Sequence, residues 1–133
     1  MIILDASVII KWFKPDEESA EANRLLAEHL AGRDTIFVPI LLLYEFTNAL
    51  VFSRRLTSGE ITRAVTILLE MRLTYVTPDK ELLEEAIGIS IRSGLSLYDA
   101  SYLALAAKFG CRLVTADRKL YQREKATGRI VLL

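Results

Sequence analysis

The segment "MIILDAS", residues 1–7, places an aspartate directly after a short run of apolar residues. The segment "LVTADRK", residues 113–119, repeats this arrangement near the other end of the chain. Short runs rich in Ile, Val, Leu and Thr are typical of strands that are buried on both faces of a parallel sheet. The pattern therefore places Asp5 and Asp117 at the points where two buried strands meet solvent.

Strand-like and helix-like segments alternate along the whole chain. Five runs favour strands: Ile2 to Leu4, Thr35 to Val38, Thr74 to Val76, Arg112 to Thr115 and Ile130 to Leu132. Apolar residues at three- and four-residue spacing favour helices over Glu17 to Leu30, Ile40 to Arg54, Ser58 to Met71, Lys80 to Ser93 and Leu97 to Phe109, with breaks at Gly32, Gly59, Gly94 and Gly110. This alternation predicts an α/β layered fold with right-handed crossovers. We expect one domain, residues 1–133, because no repeat or long linker divides the chain.

Composition and charge exclude several classes of protein. The apolar stretch at residues 37–44 contains Pro39 and ends before Glu45, far short of the roughly 20 residues that span a bilayer. We therefore expect no membrane segment, and the first residues lack the features of a secretion signal. Cys111 is the only cysteine, which favours the reducing cytoplasm. Because 17 acidic residues balance 17 basic ones, attraction to nucleic acid requires local clusters of charge.

Four acidic residues are candidates for a functional site. Ligands of parallel α/β sheets bind beyond the carboxyl ends of the strands, which is where Asp5 and Asp117 fall. Glu45 lies on an apolar helix with no Lys or Arg within one turn, and burial of an unpaired carboxylate is costly. Asp99 opens a helix whose small and apolar residues suit close packing against the sheet.

Each of these acids also has a structural explanation. Taken alone, Asp5 and Asp117 are better explained as helix N-caps. Ser96 and Asp99 have the spacing of a capping box, which explains Asp99 as well as catalysis does. A solvent-facing edge of the helix would explain Glu45. Four such acids together are harder to explain by four separate structural roles.

Four segments of the chain resemble the PIN-domain ribonucleases: "MIILDASVIIKWF", "YEFTNAL", "LSLYDASYLALA" and "LVTADRKL". The compact size resembles the VapC-type toxins of toxin–antitoxin pairs. The resemblance implies a three-layer α/β/α sandwich with a central, mainly parallel sheet of about five strands. It also implies a metal-dependent endoribonuclease that hydrolyses RNA, acts as the toxin of a type II toxin–antitoxin system and binds a cognate antitoxin protein.

The resemblance also implies roles for individual residues. The catalytic acids are expected to be Asp5, Glu45, Asp99 and Asp117, supported by Ser7, Asn48 and Thr115. Of these acids, Asp5, Asp99 and Asp117 are the expected ligands of Mg²⁺ or Mn²⁺, while Glu45 is expected to orient or deprotonate the attacking water. Hard divalent cations prefer oxygen ligands, and clustered carboxylates repel one another until such a cation neutralises them.

Basic residues follow the last aspartate. Some members of the family carry a fifth acid there, so the presence of Arg118, Lys119 and Leu120 argues against a permanent second metal site. Arg118, Lys119 and Arg123 are candidates for contacts to RNA phosphates, although a solvated helix face explains them nearly as well.

The two central helices are candidates for an interaction surface. Residues 40–54 and 58–71 are apolar enough to meet a second copy in a homodimer or an inserted partner segment, but core packing explains them equally.

Other chemistries are poorly supplied with residues. His29, the only histidine, lies in a polar stretch and is expected to be solvated, which makes a Ser-His-Asp triad improbable. Asn48 lies one turn after Glu45, where it suits either a hydrogen bond to that carboxylate or a buried amide satisfied by the backbone.

The alternative function is a non-catalytic metal- or RNA-binding regulatory module of similar α/β topology. A receiver domain would carry paired acids after its first strand, whereas Ala6 follows Asp5 here.

Overall fold

Five short strands form one parallel sheet in the computed structural model, which describes residues 1–133. The strands are β1 (Ile2–Leu4), β2 (Ile36–Pro39), β3 (Thr74–Val76), β4 (Leu113–Thr115) and β5 (Ile130–Leu132), in the spatial order β3-β2-β1-β4-β5. All four neighbouring pairs are parallel. The predicted strands are confirmed, three of them residue for residue, and β2 and β4 each begin one residue later than expected.

Seven helices cover the two faces of the sheet. They are α1 (Ala6–Ile9), α2 (Ala20–Leu30), α3 (Leu42–Ser53), α4 (Ser58–Glu70), α5 (Lys80–Ser93), α6 (Leu97–Phe109) and α7 (Arg118–Glu124). Short 3-10 turns occupy Ile10–Phe13, Pro15–Glu17 and Lys125–Thr127. The sequence pattern misses α1 and α7 because four and seven residues are too few to display a helical period. The break expected at Gly59 is wrong, because this residue lies in the first turn of α4.

The path of the chain creates a divide at the centre of the sheet. From β1 the chain moves outward to β2 and β3, and α5 and α6 then carry it back to β4 on the other side of β1. Connections diverge from β1 and β4 in opposite directions, and such a divide is where open parallel sheets bind ligands. The residues that follow β1 and β4 lie at this position.

One apolar core lies on each face of the sheet. Adjacent strand residues point to opposite faces, so Ile3 packs with α5 and α6 while Leu4 packs with α1 to α4. Leu113 and Val114 divide in the same way on β4. The expected three-layer α/β/α sandwich with a parallel sheet is therefore confirmed.

Helix α3 is apolar on both its inner and its outer side. It buries Leu42, Phe46 and Leu50 in the core, and it leaves Val51 and Phe52 exposed, together with Tyr44. Core packing is therefore confirmed for the inner face of α3, and the exposed face stays a candidate interaction surface. No helix in the structure combines the length and the apolarity that a membrane crossing requires.

His29 is not the solvated residue that the sequence suggested. It is half-buried at the end of α2, its Nε2 lies 3.0 Å from the carbonyl oxygen of Met71, and its Nδ1 accepts a hydrogen bond of 3.3 Å from Ile36 N–H. Both ring nitrogens therefore join α2 to β2 and to the end of α4. The prediction of a solvated histidine is wrong because both contacts come from other elements of the fold, and Met71 is 42 positions away in sequence.

Two glycines provide a test of how the helix that carries Asp99 ends. Gly110 ends α6 at φ +62°, where an L side chain is strained, and Gly88 lies inside α5 at a helical φ. A Cβ at either position meets no atom within 4 Å. We expect Gly110→Ala to lower the free energy of unfolding by about 1–2 kcal/mol. Gly88→Ala should raise it by about 1 kcal/mol. Urea unfolding measures both changes, and equal effects would contradict the left-handed cap.

Candidate active site

Asp5 lies directly beyond β1 and forms the N-cap of α1. Its Oδ1 accepts hydrogen bonds from Ser7 N–H at 3.0 Å, Val8 N–H at 3.3 Å and the Ser7 hydroxyl at 2.5 Å. Its Oδ2 accepts one bond, from the Thr115 hydroxyl. The capping role foreseen for Asp5 is therefore confirmed. Because a carboxylate oxygen has two lone pairs, Oδ2 retains capacity for a further partner.

Ser7 and Thr115 tie the ends of β1 and β4 together. The Ser7 hydroxyl donates to Asp5 and accepts a bond of 2.8 Å from Ala116 N–H. Thr115 is fully buried, and its hydroxyl donates to Asp5 and accepts a bond of 3.0 Å from Asp117 N–H. Two hydroxyls thus link the Asp5 carboxylate to the backbone that carries Asp117.

Asp117 is the N-cap of α7. Its Oδ1 accepts bonds from Lys119 N–H at 2.7 Å and Leu120 N–H at 3.1 Å. The residue is exposed, and it lines a cavity of about 610 Å³ together with Asp99. The cavity brings the carboxylates of two helix starts to one opening.

Asp99 lies half-buried in the first turn of α6. Ser96 caps this helix and accepts a bond of 3.1 Å from Asp99 N–H. The Asp99 carboxylate accepts no reciprocal bond from Ser96 N–H, so of the capping box considered from the sequence only the Ser96 cap is present. The Asp99 carboxylate makes no hydrogen bond and no ion pair within the chain, which leaves all of its acceptor capacity for a ligand.

Glu45 finds its partner on a helix of the opposite layer. Tyr102, on α6, donates its hydroxyl to Glu45 Oε2 at 2.5 Å. Glu45 is half-buried rather than solvent-facing. Both alternatives considered for Asn48, a bond to Glu45 and a buried amide satisfied by the backbone, are wrong because Asn48 is exposed and makes no side-chain hydrogen bond. Sequence reasoning missed Tyr102, since a tyrosine on an apolar helix is first interpreted as core. Its position three residues after Asp99 was the available signal.

Electrostatic repulsion connects three of the four acids. Burial raises the pKa of Asp5 above its ordinary value, although four hydrogen bonds oppose that rise. The pKa of Glu45 is also raised, first by burial and then by the charges of Asp99 and Asp5, while the bond from Tyr102 opposes the rise. No Lys or Arg forms an ion pair with these acids. No basic side chain therefore neutralises these acids, which together with Asp117 we call the acidic centre.

The donor set suits a hard divalent cation. It consists of carboxylate oxygens supported by hydroxyls, and no His or Cys is part of it. As the side chains stand, no three acidic, His or Cys residues are close enough together to hold one ion directly. This spacing favours coordination that is completed by water, as is usual for Mg²⁺. By the chemistry of its oxygens the site fits such a cation.

The three basic candidates lie beside the acids and differ in their contacts. Arg118, Lys119 and Arg123 line the cavity that Asp99 and Asp117 share. Arg123 also donates a bond of 2.9 Å to the carbonyl oxygen of Gly94, so it helps to hold the turn before α6. Arg118 and Lys119 are exposed and form no ion pair.

An apolar groove opens beside Glu45. It has a volume of about 1060 Å³ and is lined by residues of α3, including Tyr44, Glu45 and Val51, and by Tyr98 of α6. Tyr44 and Tyr98 are 79% and 64% exposed. The acids therefore line different openings: Glu45 lines the apolar groove, and Asp99 and Asp117 line the cavity with the basic residues.

Comparison with known proteins gives one consistent result. Residues 2–126 match the PIN domain. The chain is 33% identical to Ribonuclease VapC3 of Pyrobaculum aerophilum over 128 residues, which cover 92% of this chain and 93% of the relative. It is 31% identical to Exonuclease VapC9 of the same organism, over 84% of this chain and 88% of the relative.

A solved structure with the same fold is the VapBC2 complex of Rickettsia felis, bound to a DNA fragment from its promoter. The TM-score is 0.74 at 15% sequence identity, and the alignment covers 100% of this chain and 98% of that chain. At this identity the similarity establishes the fold alone. The match over residues 2–126 and the identity to VapC3 establish the family. The chain belongs to the PIN-domain family, among its VapC-type members.

Proposed function

We propose that the chain is a metal-dependent endoribonuclease and the toxin of a type II toxin–antitoxin system. The observation that carries this proposal is the gathering of carboxylates at the carboxyl edge of the sheet. The charges of Asp5 and Asp99 act on Glu45, Asp99 and Asp117 line one cavity, and no Lys or Arg is paired with these acids. A bound cation stabilises carboxylates that lie close together, and hydrolysis of a phosphodiester is a reaction that such a metal site serves. Both curated relatives described above are named as nucleases, which does not favour the non-catalytic alternative.

The proposed roles follow the surroundings of each acid. Asp5, Asp99 and Asp117 would hold Mg²⁺ or Mn²⁺, directly or through water, with Ser7 and Thr115 fixing Asp5. When bound, such an ion supplies neutralising charge and polarises a phosphate oxygen. Glu45 orients the attacking water or accepts its proton, because its Oε1 accepts no hydrogen bond from the chain. Asn48 is exposed and lines the apolar groove beside Glu45, and we propose it as a supporting residue there.

The path of the substrate is proposed from the cavity beside the acids. An RNA strand carries one negative charge per phosphate, so the basic residues in that cavity attract it toward the centre. Arg118 and Lys119 are the stronger candidates because they are exposed and have no acidic partner, whereas Arg123 is engaged with Gly94. These contacts position the strand and carry no base preference of their own.

Partners are proposed from the exposed side of α3. Val51, Phe52 and Tyr44 present apolar surface that suits an antitoxin segment or a second copy in a homodimer. A solved structure with the same fold is described as a toxin-antitoxin complex from Klebsiella pneumoniae. We propose a cognate antitoxin as the regulator and the reducing cytoplasm as the site of action, where the single Cys111 stays reduced.

The first prediction from the proposed function distinguishes endonuclease from exonuclease activity. We expect a circular single-stranded RNA to be cut in Mg²⁺ or Mn²⁺ and not in excess chelator, because an internal cut needs no free end. The products should carry 5′-phosphate and 3′-hydroxyl ends, since water rather than the 2′-hydroxyl attacks. Gel analysis with end-specific enzymes measures both properties. Cleavage of linear RNA alone would show an exonuclease, and 2′,3′-cyclic phosphate ends would contradict the mechanism.

The second prediction concerns Asp99→Asn. In chelator the variant should be as stable as the native chain or more so, because the carboxylate makes no hydrogen bond and repels Glu45. Bound cation stabilises the native chain by mass action, by about 2.7 kcal/mol at ~100 times its Kd. The variant should gain less in a Mn²⁺ titration followed by melting temperature, and it should lose most cleavage activity.

Glu85→Gln is the matched control for this titration. Glu85 is exposed on α5 and forms no ion pair, so its substitution removes one negative charge away from the centre. Asp5→Asn is a poorer probe, because the Asp5 carboxylate caps α1 and accepts from Thr115. If Mn²⁺ raises the melting temperature of Asp99→Asn as much as that of the native chain, Asp99 is not a ligand of the ion.

The third prediction is a pH dependence of stability in chelator. Folding raises the pKa of Glu45 above the ordinary 4.5, so the folded chain binds that proton more tightly than the unfolded chain does. Such a contribution is complete below pH 4.5 and is lost as the pH rises through the folded pKa. As the pH rises from 4.5 through the folded pKa of Glu45, the native chain should therefore lose more stability than Glu45→Gln does. Urea unfolding at a series of pH values measures the free energy of unfolding of both proteins. The same dependence on pH in both would contradict the raised pKa of Glu45.

A further inference from the structure

The hydrogen bond between Tyr102 and Glu45 joins the two helical layers. Tyr102 lies on α6 and belongs to the core on one face of the sheet, while α3 contributes Phe46 to the core on the other face. The phenol is 2% exposed and donates to Glu45 Oε2 at 2.5 Å. A buried side chain in a packed core has little freedom to move, so this bond fixes one oxygen of Glu45.

The bond leaves the other oxygen of Glu45 available. Oε1 accepts no hydrogen bond from the chain, and Glu45 lines the groove beside the acidic centre. A carboxylate held through one oxygen presents the second in a defined direction. Tyr102 also lies three residues after Asp99, on the same side of α6. One helix therefore supplies Asp99 and the anchor of Glu45, which couples the positions of these two acids.

The hydroxyl of Tyr102 is a donor at neutral pH. Burial, followed by the charge of Glu45, raises the pKa of the phenol above its ordinary value of 10.0, so the phenol keeps its proton at neutral pH. Tyr75 provides a comparison within the same chain. Its hydroxyl is also buried but has no hydrogen-bond partner, whereas the hydroxyl of Tyr102 donates to Glu45.

We propose that Tyr102 is a positioning residue that holds the Glu45 carboxylate in the orientation needed for hydrolysis. This inference rests on the proposed nuclease function, and it adds to the acidic centre a neutral residue from the core. Tyr102 acts through Glu45 and touches neither the substrate nor the ion.

The experiment compares two substitutions of the same size. Tyr102→Phe removes the donor to Glu45, and Tyr75→Phe removes a buried hydroxyl that has no partner. Steady-state cleavage of a defined single-stranded RNA in Mn²⁺ is measured for both. We expect Tyr102→Phe to lower kcat roughly 10- to 100-fold, the usual effect of removing an outer hydrogen-bond partner at a site. KM should stay unchanged, and Tyr75→Phe should behave as the native chain.

A double-substitution cycle tests whether the effect passes through Glu45. Urea unfolding in chelator, which needs no activity, is measured for Tyr102→Phe, for Glu45→Ala, which removes the acceptor, and for the double variant. The loss of stability in the double variant should be smaller than the sum of the two single losses, because both remove the same bond. Additive losses would overturn the inference.

The kinetic outcomes separate this inference from the proposed function. If the native chain cuts RNA and Tyr102→Phe keeps the native kcat, the inference is wrong and the nuclease function stands. A raised KM at native kcat would place Tyr102 in substrate binding and would likewise overturn it. If the native chain cuts no RNA, the proposed function fails and the inference fails with it.

Discussion

The parallel pairing of β1 with β4 is the contact on which the whole site depends. Ile3 lies opposite Leu113 and Leu4 opposite Val114, and the ladder continues with Asp5 N–H donating to the carbonyl oxygen of Val114 at 3.3 Å. This pairing brings together two segments that are more than one hundred residues apart in sequence. The hydroxyl network at the strand ends can form only because these strands are neighbours. Without the pairing, the acids that follow the two strands would be unrelated N-caps.

Capping and repulsion make different demands on the same carboxylates. Asp5 and Asp117 satisfy backbone N–H groups at the starts of α1 and α7, and such caps stabilise a helix by about 1 kcal/mol each. Burial raises the pKa of Asp5, and burial together with the charges of Asp99 and Asp5 raises the pKa of Glu45. Structural and proposed catalytic roles therefore coexist in single residues, and the alternatives considered from sequence are not exclusive. A divalent cation would remove the conflict, because it neutralises the repulsion without displacing the caps.

The sequence predicts the architecture well because buried parallel strands leave a local signal. Residues 80–93 and 97–109 also match their helices residue for residue, since their apolar spacing persists over three turns or more. The placement of Asp5 and Asp117 beyond strand ends follows from the same local signal. The sequence could not predict contacts between distant elements: the bond from Tyr102 to Glu45 and the contact of His29 with Met71 each join residues more than forty positions apart. An apolar helix pattern does not reveal which of its tyrosines has a polar partner.

The central claim is that the carboxyl edge of β1 and β4 holds a divalent cation. Anomalous diffraction from crystals grown with saturating Mn²⁺ tests it most directly, because the signal locates the ion independently of any activity. We expect a peak at this edge, with the ion bound to at least two of Asp5, Asp99 and Asp117, directly or through one ordered water. A map with no peak there, or with the ion held by residues elsewhere on the chain, would contradict it.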